Sequence, residues 1–423
     1  LGFFDLMERI ARKARLNQTS ADIVAALKLL GTVRNSKFAA PLFDVMDPVL
    51  GALETHQTTL RAEVSLGPTG KTRRVRVLSG GPWTQKVEVS YAGEGLPAKV
   101  EGPSSDAAGG AGRKPPAWLL PDARGLGYGR VKLDDATRAF LLARMDEVKE
   151  PATRGVAWLA LWEDALDGVV KPADFLAAIE RALPHEEQEL LIARLLRWHK
   201  DWFWRFQDAR STKAEVLFWR LANAAKSSSL KKTYLKAWSQ EVEADVRKLR
   251  RVWAREERLA GLTLDDEEET ALALELAARG VDVLDEQILR LKNPDRRARL
   301  EFLKPAALGD QSWFVALRTP EGRRKEAWVE DGLKLLNHPL RAGEALTLLP
   351  ESLRLLPEVK RTGDIFFPAA WLEAVLSGHG SPEAARIARD FLATEGATLD
   401  PRLKALCEAR FDVLFAAARQ RGM

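Results

Sequence analysis

Two hydrophobic periods divide this chain. From Thr58 to Asp134 apolar residues alternate with polar ones: Leu60, Ala62, Val64 and Leu66, then Val75 and Val77, then Val87, Val89 and Tyr91. A period of two places such residues on one face of a strand. Gly67-Pro-Thr-Gly70, Gly80-Gly-Pro82 and Gly93-Glu-Gly95 interrupt the alternation where turns are needed. Short strands with frequent turns predict a small β-sandwich, closed by strands at Trp118-Leu-Leu-Pro121 and Gly129-Arg-Val-Lys-Leu133. Residues 101–116 are rich in Gly, Ala, Pro and Ser and carry no large apolar residue, which predicts a disordered loop.

From Asp135 to the C-terminus the period becomes that of a helix. Asp134-Asp-Ala-Thr137, Lys171-Pro-Ala-Asp174 and Leu183-Pro-His-Glu186 read as helix starts, and so do Thr263-Leu-Asp-Asp266, Asn293-Pro-Asp295 and Ser381-Pro-Glu383. Short connections favour antiparallel neighbours, so the expected architecture is an irregular α-solenoid or superhelical bowl of helix pairs. No fixed-period repeat is visible. Residues 1–57 also read as a short helical segment, with Phe3, Phe4, Met7 and Ile10, and later Ile23, Leu27 and Leu30, at helix spacing. The expected organisation is therefore mainly α: a helical segment at 1–57, a β-sandwich at 58–134 and a helical domain at 135–423.

Composition narrows the classes of function. At 423 residues the chain exceeds one compact core. The net charge of +5 comes from 65 basic and 60 acidic residues without a block of like charge, so no nucleic-acid arm is expected. Cys407 is the only cysteine, which excludes intrachain disulfides and multi-cysteine zinc sites. No apolar run is long enough for a membrane span. The N-terminus lacks the layout of a signal peptide, so a cytoplasmic location is expected. A chain beginning at Leu1 reads as a fragment, a processed product or a trimmed chain.

Candidate chemistry is sparse. His185-Glu-Glu-Gln-Glu189 begins like a zinc-protease helix, but Glu189 stands where the second imidazole is needed, and none of the 5 histidines is paired one turn apart. In that segment Glu186 and Glu187 fit the first turn of a helix after Pro184, where the dipole favours carboxylates. Gly125-Leu-Gly-Tyr-Gly129 precedes a strand, so it suits a sharp turn and not a phosphate cradle. Trp198, Trp202 and Trp204, with Phe203 and Phe206, suit either stacking on a ligand or packing between helix layers, and helix spacing favours packing. In Arg361-Thr-Gly-Asp-Ile-Phe-Phe-Pro368, Gly363 is expected to end a helix, Asp364 to cap the next, and Phe366 and Phe367 to plug the core. Arg361 and Asp364 on that tight loop are the candidates for facing a substrate cavity. No catalytic or metal-ligating residue is assigned.

Leu120-Pro-Asp-Ala-Arg-Gly-Leu-Gly-Tyr-Gly-Arg-Val-Lys-Leu-Asp134 resembles the strand that leads from β-sandwich to helical domain in M1 zinc aminopeptidases. Arg154-Gly-Val-Ala-Trp-Leu-Ala-Leu-Trp-Glu163, Ser228-Ser-Leu-Lys-Lys-Thr-Tyr234 and Lys292-Asn-Pro-Asp-Arg-Arg297 resemble the bacterial branch. So do Asn337-His-Pro-Leu-Arg341 and the Arg361–Pro368 loop. The resemblance runs from Trp118 to the C-terminus, is weak in the sandwich and is not seen in residues 1–56. It implies a C-terminal half whose helical bowl closes over an active site carried elsewhere. The family's chemistry lies in a His-Glu-x-x-His helix with a distal glutamate and in a Gly-x-Met-Glu-Asn segment, and neither occurs in this sequence. The chain by itself is thus expected to be inactive and to hold no cofactor, with zinc in a missing catalytic domain or partner chain. Its expected partners are a peptide substrate or that catalytic domain. A stand-alone, non-enzymatic α-solenoid scaffold that binds a protein or peptide is the alternative.

Overall fold

The computed structural model describes residues 59–79, 85–100, 104–127, 129–207, 212–243 and 245–422. The helices expected in 1–57 and the turn at Gly80-Gly-Pro82 lie outside these residues. Over these residues the chain is mainly helical with two small sheets. It forms two compact units, one ending at Asp164 and the other beginning at Ala165.

The first unit holds β1 (Thr59–Leu66), β2 (Thr72–Ser79), β3 (Gln85–Tyr91), β4 (Glu94–Val100), β5 (Ser104–Asp106), β6 (Leu119–Leu120) and β7 (Arg130–Lys132). One sheet has the order β5-β2-β1-β7 and the other β4-β3-β6. The alternation seen in the sequence becomes one shared apolar core. Leu60, Ala62, Val75 and Val77 from the first sheet meet Val87, Val89, Leu96 and Ala98 from the second. Tyr91 and Glu94 pair across a two-residue turn, Ala92-Gly93, with φ of 52° and 100°. Such a turn needs positive φ at both positions, which glycine adopts freely. The closing strand β7 runs parallel to β1.

Residues 104–116 differ from the expected disordered loop. β5 pairs with β2, the Thr72 N–H donates to the Arg113 carbonyl at 2.9 Å, and the Gly112 N–H donates to the Thr72 carbonyl at 2.8 Å. Small residues are what this segment needs: a Cβ on Gly110 would stand 2.5 Å from Val75 Cγ2, so the backbone lies directly on the sheet. The same composition that suggests mobility here permits close approach.

The helices begin with α1 (Asp135–Arg144) and α2 (Pro151–Leu166). Asp134 caps α1 by accepting from the Thr137 N–H at 2.9 Å, and the Thr137 hydroxyl in turn accepts from the Leu119 N–H at 2.9 Å. Trp118 stacks on Phe140 at 6.0 Å. Arg130 on β7 contacts the Glu163 carboxylate at 3.3 Å, and Arg138 on α1 holds Asp164 at 2.7 Å. These contacts tie both helices to the sheets and explain why the first unit extends to Asp164 and does not stop at the change of period near residue 134.

The second unit continues with α3 (Pro172–Ala182), α4 (Glu189–Arg205), α5 (Lys213–Ala224), α6 (Ser228–Glu241), α7 (Val246–Trp253) and α8 (Asp266–Ala278). Then come α9 (Leu284–Arg290), α10 (Pro294–Ala307), the single-turn α11 (Trp313–Ala316), α12 (Glu326–Leu336) and α13 (Ala342–Ala345). It ends with α14 (Leu349–Arg354), α15 (Leu356–Thr362), α16 (Phe367–Leu376), α17 (Pro382–Ala393) and α18 (Pro401–Gln420). Neighbouring helices pack on one another, as in α5 on α6, α10 on α12 and α17 on α18. A large apolar core joins Phe314, Leu333, Leu353, Trp371, Phe391 and Phe411, with Cys407 buried in it. Burial pushes the Cys407 thiol up to about 12, so it stays protonated and serves as a small hydrophobe. Many starts read from the sequence are capped as expected. Asn293 accepts from the Asp295 N–H at 2.9 Å, Ser381 from the Ala384 N–H at 3.2 Å, and Asp265 and Glu268 complete a capping box. The start at Pro184 shifts, because α4 opens only at Glu189. Glu186 precedes it and accepts from the N–H groups of Glu187 and Gln188, each at 3.0 Å.

Candidate functional site

The glycine-rich stretch before β7 is closed by a side chain. Asp122, buried and at φ 52°, accepts from the Leu126 N–H at 3.0 Å and the Gly127 N–H at 2.9 Å. A Cβ on Gly127 would meet Val87 at 2.8 Å. The donors that a phosphate would require are therefore occupied by a carboxylate of the same loop. Burial raises the Asp122 carboxyl above its ordinary value, and the two backbone donors oppose that shift.

The tryptophans of α4 lie between helix layers. Trp198, Trp202 and Trp204 are buried, Trp202 stacks on Phe206 at 3.8 Å, and Phe175 of α3 approaches Trp202 at 5.1 Å. None presents a flat, open face for a base or a sugar.

The segments that carry the family resemblance act mainly as caps and struts. In Asn337-His-Pro-Leu-Arg341, the Asn337 amide donates to the Leu333 carbonyl at 2.9 Å, and its oxygen meets His379 Nε2 at 3.0 Å. His338 Nδ1 accepts from the Leu340 N–H at 3.2 Å, and its Nε2 faces Glu275 at 3.5 Å. Arg341 donates to the carbonyls of Ala307 and Ala277. Elsewhere Ser227 caps α6, Lys231 reaches the Ala260 carbonyl at 2.6 Å, and Arg297 reaches the Leu291 carbonyl at 2.7 Å. Burial would raise the Glu275 carboxyl, but the His338 hydrogen bond and the nearby Arg279 outweigh it and bring it to about 2. Burial, reinforced by the Arg205 guanidinium, lowers His379 to about 4, so that ring is neutral at ordinary pH.

In the Arg361–Pro368 loop, Gly363 follows α15 as expected, and its backbone is tightly enclosed: a Cβ there would stand 2.7 Å from Phe367 and 2.9 Å from the Val359 carbonyl. Asp364 is exposed, and its carboxylate accepts from the Phe366 N–H at 2.7 Å while its own N–H donates to Glu326 at 2.8 Å. It therefore shapes the turn before α16 from two residues ahead of the cap position, Phe366. Phe367 and Pro368 are buried, but Phe366 is 64% exposed beside Ile365 at 68%, so only Phe367 plugs the core. The turn that Asp364 sets points Phe366 outward. Arg361 is exposed and forms no ion pair among the described residues, whereas its neighbour Lys360 is held by Asp400 at 2.5 Å. Of the two candidate site residues, Arg361 is thus the one left able to meet a ligand's carboxylate, since Asp364 is engaged within its own loop.

One polar cluster has no counterpart in the periodicity or motifs of the sequence. His199, in the middle of α4, is fully buried; its Nδ1 lies 2.8 Å from Glu241 at the end of α6, and its Nε2 lies 3.3 Å from Glu180 on α3. Phe218 of α5 meets the ring edge-on at 5.0 Å, and Phe203 stacks at 6.2 Å. The only sequence signal was an isolated histidine on an aromatic, apolar helix face.

Among the described residues no group of three His, Cys, Asp or Glu side chains is arranged to hold a metal ion. Among them also, no helix is long and apolar enough to cross a membrane. No family model and no curated protein matches the chain.

Proposed function

We propose that this chain is the non-catalytic C-terminal portion of an M1-like metalloaminopeptidase, forming the wall or lid of the peptide-binding chamber. The observation that carries this reading is the resemblance from Trp118 onward. Its segments fall on residues with defined structural duties: Asp134 capping α1, Asn293 capping α10, and Arg341 bound to two carbonyls. The helical unit would be the bowl, with zinc held by a catalytic domain or partner chain and the whole located in the cytoplasm. A lid of this kind serves by excluding water and setting the length of peptide that fits. Arg361 would steer the peptide's C-terminal carboxylate.

The role of Arg361 is tested in the assembled peptidase. Arg361→Gln is expected to raise KM for free-acid peptides about fivefold, the size of one exposed ion pair, with kcat unchanged and C-terminally amidated peptides unaffected. An equal effect on amidated peptides, or none on free acids, would remove Arg361 from substrate binding. The second reading, a stand-alone scaffold, draws on the exposed Ile365–Phe366 pair, an apolar surface that suits a protein partner.

A further inference from the structure

We propose that the Glu180–His199–Glu241 cluster is a buried, proton-dependent lock: α3, α4 and α6 stay fastened while the His199 ring carries both its protons, and they loosen as the solution turns alkaline.

The geometry comes first. Both ring nitrogens of His199 face carboxylates, at 2.8 Å and 3.3 Å, and each carboxylate belongs to a different helix. A neutral imidazole has one N–H and one lone pair, so it would set a lone pair against one of these carboxylates. Only the imidazolium suits both: its Nε2 hydrogen-bonds Glu180, and its charge pairs with Glu241, which meets Nδ1 as an ion-pair contact and not as an aligned hydrogen bond. The side chains of His199 and Glu241 are wholly excluded from solvent, while Glu180 is 24% exposed. The cluster therefore runs from the interior to the surface, which gives the proton a route outward through Glu180. Water cannot replace a lost partner at the inner end. Lys200, on α4 itself, is the remaining charge near Glu241, and α5 contributes the uncharged ring of Phe218.

The direction of the response follows from the charges. Burial alone would lower His199, but Glu241 and Glu180 outweigh it and raise the ring from 6.5 to about 9. A folded-state value above the unfolded one stabilises fully below the unfolded value and loses that contribution as pH rises through the folded value. For His199 the loss thus falls between about 6.5 and 9. Burial also raises Glu241, against the pull of His199, so its contribution is likewise lost with rising pH. Both groups act in the same sense. The arrangement therefore weakens as the solution turns alkaline.

The test uses the full chain. Side-chain nitrogen NMR of His199 is expected to show both nitrogens protonated at neutral pH and a transition near 9. Across that transition amide protection in α4 and α6, corrected for intrinsic base catalysis, should fall about tenfold while α17 and α18 keep theirs. Glu180→Gln removes only the partly exposed partner, so it should fold, and it should shift the His199 transition downward. His199→Gln should abolish the pH dependence of protection in α4 and α6. A neutral ring at pH 7, unchanged protection through the transition, or a transition unmoved by Glu180→Gln would each overturn the lock.

Discussion

Gly378→Ala is expected to cost the helical unit about 3 kcal/mol, the upper end of what overpacking usually costs. The position needs no unusual backbone angle. Its requirement is space: a Cβ would stand 2.1 Å from the Asn337 carbonyl oxygen, 2.9 Å from Pro339 N and 3.0 Å from His338 C. All three are backbone atoms, so no flexible side chain can turn aside. The displaced segment also carries Asn337, whose contact with His379 is 3.0 Å, and Arg341, which binds the Ala307 and Ala277 carbonyls. One methyl group therefore disturbs several buried polar contacts. Gly343→Ala is the matched control, because nothing lies within 4 Å of its added Cβ in a helix. That change is expected to stabilise by about 0.5 to 1 kcal/mol. Urea unfolding of the two variants checks both signs, provided the m-values match the parent.

Trp371→Ala should be more damaging, at about 4 to 5 kcal/mol. The indole is fully buried in the large core, lies 5.9 Å from Phe367 and 6.3 Å from Phe314, and donates to the Ser352 carbonyl at 2.9 Å. Truncation leaves a cavity between α11, α14 and α16 and an unpaired carbonyl. Trp371→Phe keeps most of the volume and should cost about 1 to 2 kcal/mol, chiefly through the lost hydrogen bond. Equal losses for the two variants in thermal unfolding would show that packing is not what Trp371 supplies.

The parts of this fold legible in the sequence are those decided within a few residues. Asp134, Asn293 and Ser381 cap helices because their side chains reach donors two or three positions away, and that spacing is visible in one dimension. The alternation of Leu60 with Ala62 and of Val75 with Val77 likewise determines the faces of β1 and β2. Other features depend on partners distant in sequence. Ser104–Asp106 has no apolar residue to mark a strand, and it becomes one only because β2 offers an edge. Phe366 reads as apolar and therefore buried, but the turn set by Asp364 and Glu326 points it outward. His199 lies 19 residues from Glu180 and on a different helix from Glu241, so neither carboxylate could be assigned to it before the helices were placed. The candidate site shows the same division. The loop from Arg361 to Pro368 stood out as a tight turn, but that Arg361 forms no ion pair among the described residues while Asp364 is engaged becomes apparent only in three dimensions.

The central proposal, that this chain completes a zinc aminopeptidase whose catalytic residues lie outside it, is tested most directly by metal content. The protein carrying this chain, isolated intact from its native source, is to be assayed for zinc per copy of the chain. About one zinc ion per copy, with aminoacyl-peptide cleavage lost on chelation, is the expected result. A zinc-free protein consisting of this chain alone and inert toward aminoacyl peptides would contradict the account and leave the scaffold reading in its place.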